Sequence, residues 1–367
     1  MPIHTWHHLQ GYMRKLLRKR RKKERAIPTR GIPDGISYET INECCRTYLN
    51  EPLREISYIH LSGWKKSGAY QLFLETQKGR QWSLVYKNAY YSPKNIPALK
   101  RLSVIPGPPE YLIYKYSDKV LAQYLPQVFL ASEIISGKHY QYLLEDLSKD
   151  FFMVRSGSEI LAAARKLPEI HASMQGWVSH TKRDQLICYD RQFSLFLREY
   201  AQQILKRYVN VTSSETGKAV CQLWRQISEI CAPFEEMETL SILTPIHGDF
   251  NISNVHISKN GSDEIKLVDW EWAGLGLTFM DLASLLKRVT PEVEEQALDI
   301  YSEHDSSLSP AEQKRLYYWC QLERGILDAA FIATQLLDSP ITPMFSLEKF
   351  VEQSLRQVLI AYRKLAA

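Results

Sequence analysis

The order of predicted strands and helices indicates a bilobal α+β protein with a small β-rich lobe and a larger, mostly helical lobe. Three short strand-like segments come first, at residues 56–61, 70–76 and 82–86. Beyond residue 148 long helical patterns dominate, interrupted by one compact β-like island at 243–268. Strands in one block followed by helices in another are typical of α+β proteins rather than of alternating α/β folds.

The length and composition are those of an ordinary globular protein. The chain has 367 residues, of which 45% are hydrophobic and 24% charged, so disordered, collagen-like and fibrous classes are excluded. No apolar run approaches the roughly 18 residues of a membrane-spanning helix, and the first residues lack the apolar core of a secretory signal. The six cysteines form no C-x-x-C pair, which argues against a zinc site or a disulfide framework. We therefore expect a cytoplasmic protein.

Positive charge is concentrated at the beginning of the chain. Residues 1–30 contain ten Lys or Arg and one Glu, a net charge of +9. The remaining 337 residues contain 36 basic and 40 acidic side chains, a net charge of −4. Because the body of the protein is mildly acidic, its composition gives no reason to expect a nucleic-acid partner.

The basic stretch allows two interpretations. Between residues 9 and 25, apolar side chains recur at helical spacing beside the run RKLLRKRRKKER. A helix there would have an apolar stripe and a cationic back, which suits an acidic partner or an anionic membrane surface, and the protein would then be peripheral to the inner membrane surface. A solvated tail of mutually repelling charges is the alternative.

Composition breaks also predict the domain boundaries. Two prolines and two glycines between residues 27 and 35 interrupt any helix and predict a linker. We expect a basic tail and linker over 1–35, a nucleotide-binding, β-rich lobe over 36–147, and a helical lobe with the catalytic and acceptor sites over 148–367.

Residues suited to phosphoryl transfer are concentrated in and just after the β-like island. The sequence IHGDFNISNV places Asp249 and Asn254 five residues apart in one loop, and IKLVDWE places Asp269 directly after an apolar strand. Phosphoryl transfer needs one carboxylate to receive or orient the proton of the acceptor hydroxyl, and further oxygen ligands to hold Mg²⁺ on the phosphates. His, Asp and Asn are also common turn formers, but the two motifs together favour a catalytic site.

The segment IHGDFNISNV…IKLVDWEWAGLGLTFMDLASLL resembles the signature of the aminoglycoside phosphotransferase and choline kinase family. This resemblance implies a protein-kinase-like fold, with elements in matching order over residues 37–367. It implies that Asp249 is the catalytic base and that Asn254 and Asp269 bind magnesium.

The same resemblance implies a scaffold around the catalytic loop. His247 and Gly248 would shape the loop, and Asp281 in MDLASLL would be a buried structural acid. His171, in EIHASMQGW, would pack behind the loop as a structural rather than a catalytic residue.

The resemblance further implies a lysine in the β-rich lobe that reaches the α- and β-phosphates of ATP. Lys87 follows the third strand-like segment, WSLVY, and is the candidate. An acid on the next helix should pair with it, and Glu110 is the first one available. Glu is also favoured in the first turn of any helix, which is the alternative explanation for its position.

Two backbone segments complete the implied nucleotide site. The loop at 62–69 would cover the phosphates, with Ser67 and Gly68 offering backbone N–H groups. Backbone groups near Asp146 and Leu147, after the strand YQYLL, would hold the adenine.

The sequence therefore predicts an ATP- and Mg²⁺-dependent kinase that moves the γ-phosphate to a hydroxyl of an aminoglycoside-, sugar- or amino-alcohol-like small molecule. One alternative is a non-catalytic kinase-like module recruited to a membrane or an acidic partner by its basic tail. A protein kinase is the other, and the absence of H-R-D, D-F-G and A-P-E motifs argues against it. The acceptor pocket is expected within 175–240 and 290–345, where Glu235, Glu236 and Glu238 either attract a cationic acceptor or form a solvated helix face.

Overall fold

The computed structural model describes residues 28–62, 68–90, 109–178, 185–235, 243–304, 308–338 and 344–367. The chain divides into two compact units. The first contains the residues up to Tyr90 with Val128–Ile135 and His139–Asp146, and the second contains Tyr91–Gln127, Ser136–Lys138 and Leu147–Ala367. The predicted tail helix at 9–25 and the predicted site residue Ser67 lie outside the described residues, as do Glu236 and Glu238.

Over its described residues, the first unit is a six-stranded antiparallel sheet with one helix. Its elements are β1 (Thr29–Arg30), α1 (Tyr38–Leu49), β2 (Leu53–Ser62), β3 (Gly68–Thr76), β4 (Gln81–Tyr90), β5 (Val128–Ile135) and β6 (His139–Glu145). The strand order is β1-β2-β3-β4-β6-β5. The three strands expected first are confirmed as β2, β3 and β4, whereas β5, the edge strand beside β6, was not predicted.

Alternation along the strands explains how this sheet packs. In β4, Leu84 and Tyr86 are buried, and they join Ile41 and Cys45 of α1 in one hydrophobic cluster. The helical spacing of apolar residues after Ser37 predicts a helix with that serine as its N-cap, and the structure has it: the side chain of Ser37 accepts a hydrogen bond from the N–H of Thr40 at 3.2 Å. Burial of these apolar side chains is the main stabilising contribution within the unit.

The turn between β3 and β4 is the one that Lys78 and Gly79 predict. Gly79 has a φ of 80°, which glycine adopts without steric cost. Its N–H donates to the carbonyl oxygen of Thr76 at 2.9 Å.

The second unit consists mainly of helices. These are α2 (Pro109–Tyr116), α3 (Lys119–Ala122), α4 (Gly157–Trp177), α5 (Arg191–Thr212), α6 (Glu215–Gln222), α7 (Trp224–Glu235), α8 (Phe279–Leu285), α9 (Pro291–Ser302), α10 (Pro310–Asp338) and α11 (Met344–Ala366). Six short strands form two three-stranded sheets among them. One sheet has the order β11 (Ile265–Leu267), β10 (Val255–Ser258), β7 (Phe151–Met153), and the other has the order β8 (Ile187–Cys188), β12 (Gly274–Gly276), β9 (Thr244–Ile246).

The apolar periodicity over 110–124 and over 217–231 predicts one helix in each stretch, and the structure divides both. The pattern over 110–124 gives α2 and α3, because the side chain of Asp118 caps a new helix by accepting from the N–H groups of Val120 and Leu121 at 3.1 and 2.8 Å. The pattern over 217–231 gives α6 and α7, which are separated by a non-helical backbone at Leu223. In both stretches the apolar periodicity continues past the break, so the sequence pattern does not show where one helix ends and the next begins.

Asp281, at the start of α8, is a fully buried carboxylate that holds the loop after β9. Its Oδ2 accepts from the N–H of His247 at 2.7 Å, and its Oδ1 accepts from the N–H of Gly248 at 2.8 Å. The Nε2 atom of His171, on α4, lies 3.0 Å from Oδ2 of the same carboxylate, and Nδ1 lies 3.4 Å from the Tyr301 hydroxyl. As expected, Asp281 is a buried structural acid, and His171 supports the loop from behind.

The arrangement of a β-rich unit and a mostly helical unit confirms the predicted bilobal α+β class. Within the described residues, none of the helices combines the length and the apolar character that crossing a membrane requires.

We expect Asp281→Ala to lower the free energy of unfolding by about 2–6 kcal/mol, because it leaves two buried backbone N–H groups without an acceptor. Urea unfolding followed by circular dichroism measures the change. Asp299→Ala, at an exposed position of α9, is the matched control and should change the free energy by less than about 0.5 kcal/mol. Equal urea concentrations at the midpoint of unfolding for Asp281→Ala and Asp299→Ala would contradict the scaffold role of Asp281.

Candidate active site

The loop between β9 and β10 brings the predicted catalytic and metal-binding residues together. β10 pairs with β11 so that Val255 lies opposite Leu267. The N–H of Val268 then donates to the carbonyl oxygen of Asn254 at 3.1 Å. Because Asn254 precedes β10 and Asp269 follows β11, the antiparallel pairing leaves both residues at the same end of the strand pair.

The backbone at the beginning of this loop requires glycine. Gly248 has a φ of 76°, and a Cβ atom there would lie 1.8 Å from the carbonyl oxygen of Trp272. That carbonyl is itself held by the hydroxyl of Tyr189 at 2.6 Å. Any side chain at position 248 would therefore clash with the Trp272 carbonyl group and displace the loop.

His247 is a neutral ring that braces the loop. It is fully buried, and burial lowers the pKa of its imidazole below the usual value despite the nearby carboxylates of Asp281, Asp249 and Asp269. Its Nε2 lies 3.2 Å from the carbonyl oxygen of Val268, and its Nδ1 accepts from the N–H of Asp249 at 3.3 Å. One donor and one acceptor is the pattern of a neutral imidazole protonated at Nε2.

Asp249 and Asn254 are directly hydrogen-bonded. The Nδ2 group of Asn254 lies 3.0 Å from both the carbonyl oxygen and Oδ2 of Asp249. The amide oxygen of Asn254 is therefore turned away from Asp249, and it is the atom through which Asn254 can ligate a cation.

Asp269 adopts a backbone conformation that is uncommon for a residue with a side chain. Its φ and ψ are 67° and 60°, in the left-handed region, which costs a non-glycine residue about 1–3 kcal/mol. Such conformations persist where the surrounding structure imposes them, and they are concentrated at functional sites. Here the conformation lies at the end of β11, where the chain turns into the short 3₁₀ helix Trp270–Trp272.

Three carboxylates lie close to one another at this end of the loop. Oxygen atoms of Glu110, Asp269 and Glu271 are all within 4.8 Å of one another. Glu110 is buried and Glu271 is exposed. Neighbouring carboxylates repel one another unless a cation lies between them, and oxygen ligands at this spacing fit a divalent ion such as Mg²⁺. Glu271 was not singled out from the sequence as a site residue, although it is the second acid of the DWE motif.

Glu110 and Lys87 belong to different units. Glu110 begins α2 in the second unit and is grouped with Asp269 there. Lys87 lies in the first unit, inside β4 rather than at its end, because strand pairing continues to Tyr90 opposite His139. Their ion pair, which the resemblance implies, stays a prediction.

The predicted nucleotide residues of the first unit lie on adjacent strands. Gly68 begins β3 and pairs with Asn88, next to Lys87 in β4. The carboxylate of Asp146 accepts from Gln71 Nε2 at 2.7 Å and from the hydroxyl of Ser83, which fixes the chain immediately after β6. The predicted roles of these residues in nucleotide binding stay predictions.

Leu147 is the first residue of the second unit's main segment. Its side chain is buried, and its carbonyl oxygen accepts from the N–H of Phe151 at 2.9 Å. The predicted contact of this backbone with adenine also stays a prediction.

Sequence reasoning missed Arg324, which contacts the predicted catalytic base. Its Nη2 group donates to Oδ1 of Asp249, and its Nη1 group donates to the carbonyl oxygen of Gly248. Burial raises the pKa of Asp249, but Arg324, a hydrogen bond with Asn251 and the more distant His247 and Lys287 outweigh it and leave that pKa below its usual value. Arg324 is 75 residues from Asp249 in the chain, and no local motif marks it.

Comparison with known proteins finds a family model that matches part of the chain. The model of the family described as "Phosphotransferase enzyme family" matches residues 154–318, a range that contains Asp249, Asn254 and Asp269. Among curated protein sequences none matches the chain significantly.

Solved structures with the same fold include several small-molecule kinases. A spectinomycin phosphotransferase in complex with ADP and spectinomycin is 14% identical, with a TM-score of 0.56 over 89% of this chain and 99% of that one. The ethanolamine kinase of Plasmodium vivax is 11% identical, with a TM-score of 0.55 over 84% of each chain. An amicoumacin kinase in complex with AMP-PNP, Ca²⁺ and its ligand is 13% identical, with a TM-score of 0.52 over 82% of this chain and 88% of that one.

At these identities the structural likeness establishes the fold, and the family match covers the catalytic loop. Both agree with the predicted family and with the prediction of an enzyme. Residues 154–318 match the model of the phosphotransferase enzyme family, and the chain has the same kinase-like fold as the solved spectinomycin phosphotransferase and ethanolamine kinase.

Proposed function

We propose that the protein is a cytoplasmic kinase that uses ATP and Mg²⁺ to phosphorylate a hydroxyl of an aminoglycoside-, sugar- or amino-alcohol-like small molecule. The observation that carries this proposal is the assembly of Asp249, Asn254 and Asp269 at one end of the β10–β11 pair, beside the carboxylates of Glu110 and Glu271. A binding module has no need of this combination, whereas phosphoryl transfer requires each part of it.

Asp249 is the residue that orients the acceptor hydroxyl. Its carboxylate is four-fifths buried; it accepts from Arg324 at Oδ1 and from Asn254 at Oδ2, and it forms a further hydrogen bond with Asn251. The two oxygens offer about four acceptor positions together, so these three hydrogen bonds leave a position for a hydroxyl. Holding that hydroxyl in line with the transferred phosphate supplies much of the rate enhancement in this chemistry.

The carboxylates of Asp269 and Glu271, with the amide oxygen of Asn254, are the oxygen donors that would hold Mg²⁺. The fit rests on their spacing and on the hard-oxygen character of the donor set. When bound, the ion neutralises negative charge on the phosphates. Glu110 lies within 4.8 Å of the same carboxylates. We therefore propose that it contributes to this cation site in addition to its predicted ion pair with Lys87.

The nucleotide residues proposed in the first unit are Lys87 for the α- and β-phosphates, Ser67 and Gly68 for the phosphate-covering loop, and backbone groups of Asp146 and Leu147 for the adenine. The adjacency of Gly68 and Lys87 on β3 and β4 supports this assignment. Related folds that carry ADP or AMP-PNP support a nucleotide as the phosphate donor. The proposed lobes remain 36–147 and 148–367, after a basic tail at 1–35.

We expect Asp249→Asn to lower the rate of phosphoryl transfer by about 10²- to 10⁴-fold, because the amide cannot accept the hydroxyl proton. ³¹P NMR of the protein with ATP, Mg²⁺ and pooled aminoglycosides, sugars and amino alcohols measures the phosphomonoester formed. Wild-type protein should give a new signal that Asp249→Asn lacks.

Asp299→Asn, at an exposed position of α9, is the matched control and should retain the wild-type rate. Mg²⁺-dependent ATP binding by the wild-type protein without product means that the pool lacks the acceptor. Equal product from Asp249→Asn and the wild-type protein would contradict the assignment of Asp249. Failure of the wild-type protein to bind ATP would contradict the kinase and favour a non-catalytic module.

We expect Glu271→Gln and Asp269→Asn each to weaken binding of Mn²⁺, used as a paramagnetic substitute for Mg²⁺, because each removes a charged oxygen ligand. Electron paramagnetic resonance titration in the presence of ADP measures the affinity without any turnover. Glu303→Gln, at an exposed position after α9, is the control and should bind as the wild-type protein does. Unchanged affinity in both site variants would exclude this cluster as the metal site.

A further inference from the structure

Arg324 connects α10 to the catalytic loop through both of its Nη groups. Nη1 and Nη2 donate to Gly248 and Asp249, and Nε lies 3.3 Å from Oδ1 of Asp328, one turn further along the helix. The side chain of Arg324 is 11% exposed. A planar group with donors in a fixed fork can span a carbonyl and a carboxylate at once, which a single ammonium group cannot do.

Arg324 is itself held from two directions. Asp328 is 13% exposed, and its other oxygen, Oδ2, contacts the Nζ atom of Lys287 in the turn after α8. The Arg324 guanidinium is thus tied to its own helix by Asp328 and, through Lys287, to the turn after α8. An arginine fixed in this way loses little further freedom when it holds Asp249.

The two helices hold opposite sides of the same residue. The N–H of Gly248 donates to Asp281 on α8, and its carbonyl oxygen accepts from Arg324 on α10. The peptide groups on either side of Gly248 are therefore fixed. Because Asp249 is the next residue, the direction of its side chain is set by this fixed backbone. Arg324 also donates to the carboxylate of Asp249, so it holds both the backbone at the start of the loop and the predicted catalytic side chain.

We propose that Arg324 is a positioning residue for phosphoryl transfer: it fixes the Asp249 carboxylate in the orientation that receives the acceptor hydroxyl. This inference rests on the proposed function. An ion pair with arginine makes a carboxylate a weaker base, so the contact serves orientation rather than proton abstraction. That suits a transfer whose loose transition state depends on positioning and on charge stabilisation.

The test is a double-mutant cycle between Arg324 and Asp249, with kcat and KM measured for ATP and for the acceptor found by ³¹P NMR. We expect Arg324→Met to lower kcat about 10- to 100-fold, because a small displacement of the catalytic group has an effect of that size, and to leave KM for ATP unchanged. Arg324→Lys, which keeps the charge but not the fork, should have an intermediate kcat.

The cycle separates positioning from a general structural role. In an Asp249→Ala background there is no carboxylate to orient, so adding Arg324→Met should change kcat by less than about twofold. The same 10- to 100-fold loss in both backgrounds would overturn the proposal, because Arg324 would then act on the fold and not through Asp249.

Arg315→Met is the matched control, since Arg315 is an exposed arginine on the same helix. It should retain wild-type kcat and KM. Where Arg324→Met fails to fold, as judged by circular dichroism, Arg324→Lys replaces it in the cycle. A wild-type protein that does not bind ATP overturns the proposed function and this inference together, whereas an active wild-type protein with an additive cycle overturns this inference alone.

Discussion

The geometry of the site depends on one buried carboxylate, that of Asp281. It accepts hydrogen bonds from two consecutive N–H groups, those of His247 and Gly248, and it lies 3.0 Å from the ring of His171. Consecutive N–H groups of a β-strand point to opposite sides, so two that donate to one carboxylate require the chain to leave the strand conformation after β9. The loop is therefore shaped by a side chain from another element, and the positions of Asp249 and Asn254 follow from it.

The same loop has little freedom to relax. Gly248 has a positive φ and lies against the Trp272 carbonyl, so a methyl group does not fit. Asp269 has a left-handed conformation that only neighbouring structure can maintain. Both features cost local stability, and both fix the positions of the carboxylates of Asp249 and Asp269 and the amide of Asn254. Such a cost is expected where catalysis depends on groups held in fixed positions.

Features that depend on residues close in the chain could be predicted, and features that depend on distant ones could not. The strands β2, β3 and β4, the helix cap at Ser37 and the loop carrying Asp249 all express local patterns. Arg324 is marked by no local pattern, because its significance comes from the packing of α10 beside the loop. The edge strand β5 was missed for a related reason, since it is defined by its pairing with β6.

The distribution of charge on α10 bears on the acceptor. Arg324 pairs with Asp249, and Glu323 on the same helix lies 3.3 Å from Arg198 of α5, with both side chains almost fully buried. Asp328 is likewise engaged by Arg324 and Lys287. A cationic acceptor gains little from carboxylates that already have cationic partners, since it would have to displace them. On this helix, charge therefore serves to hold the loop that carries Asp249, and these carboxylates give no reason to expect a cationic acceptor.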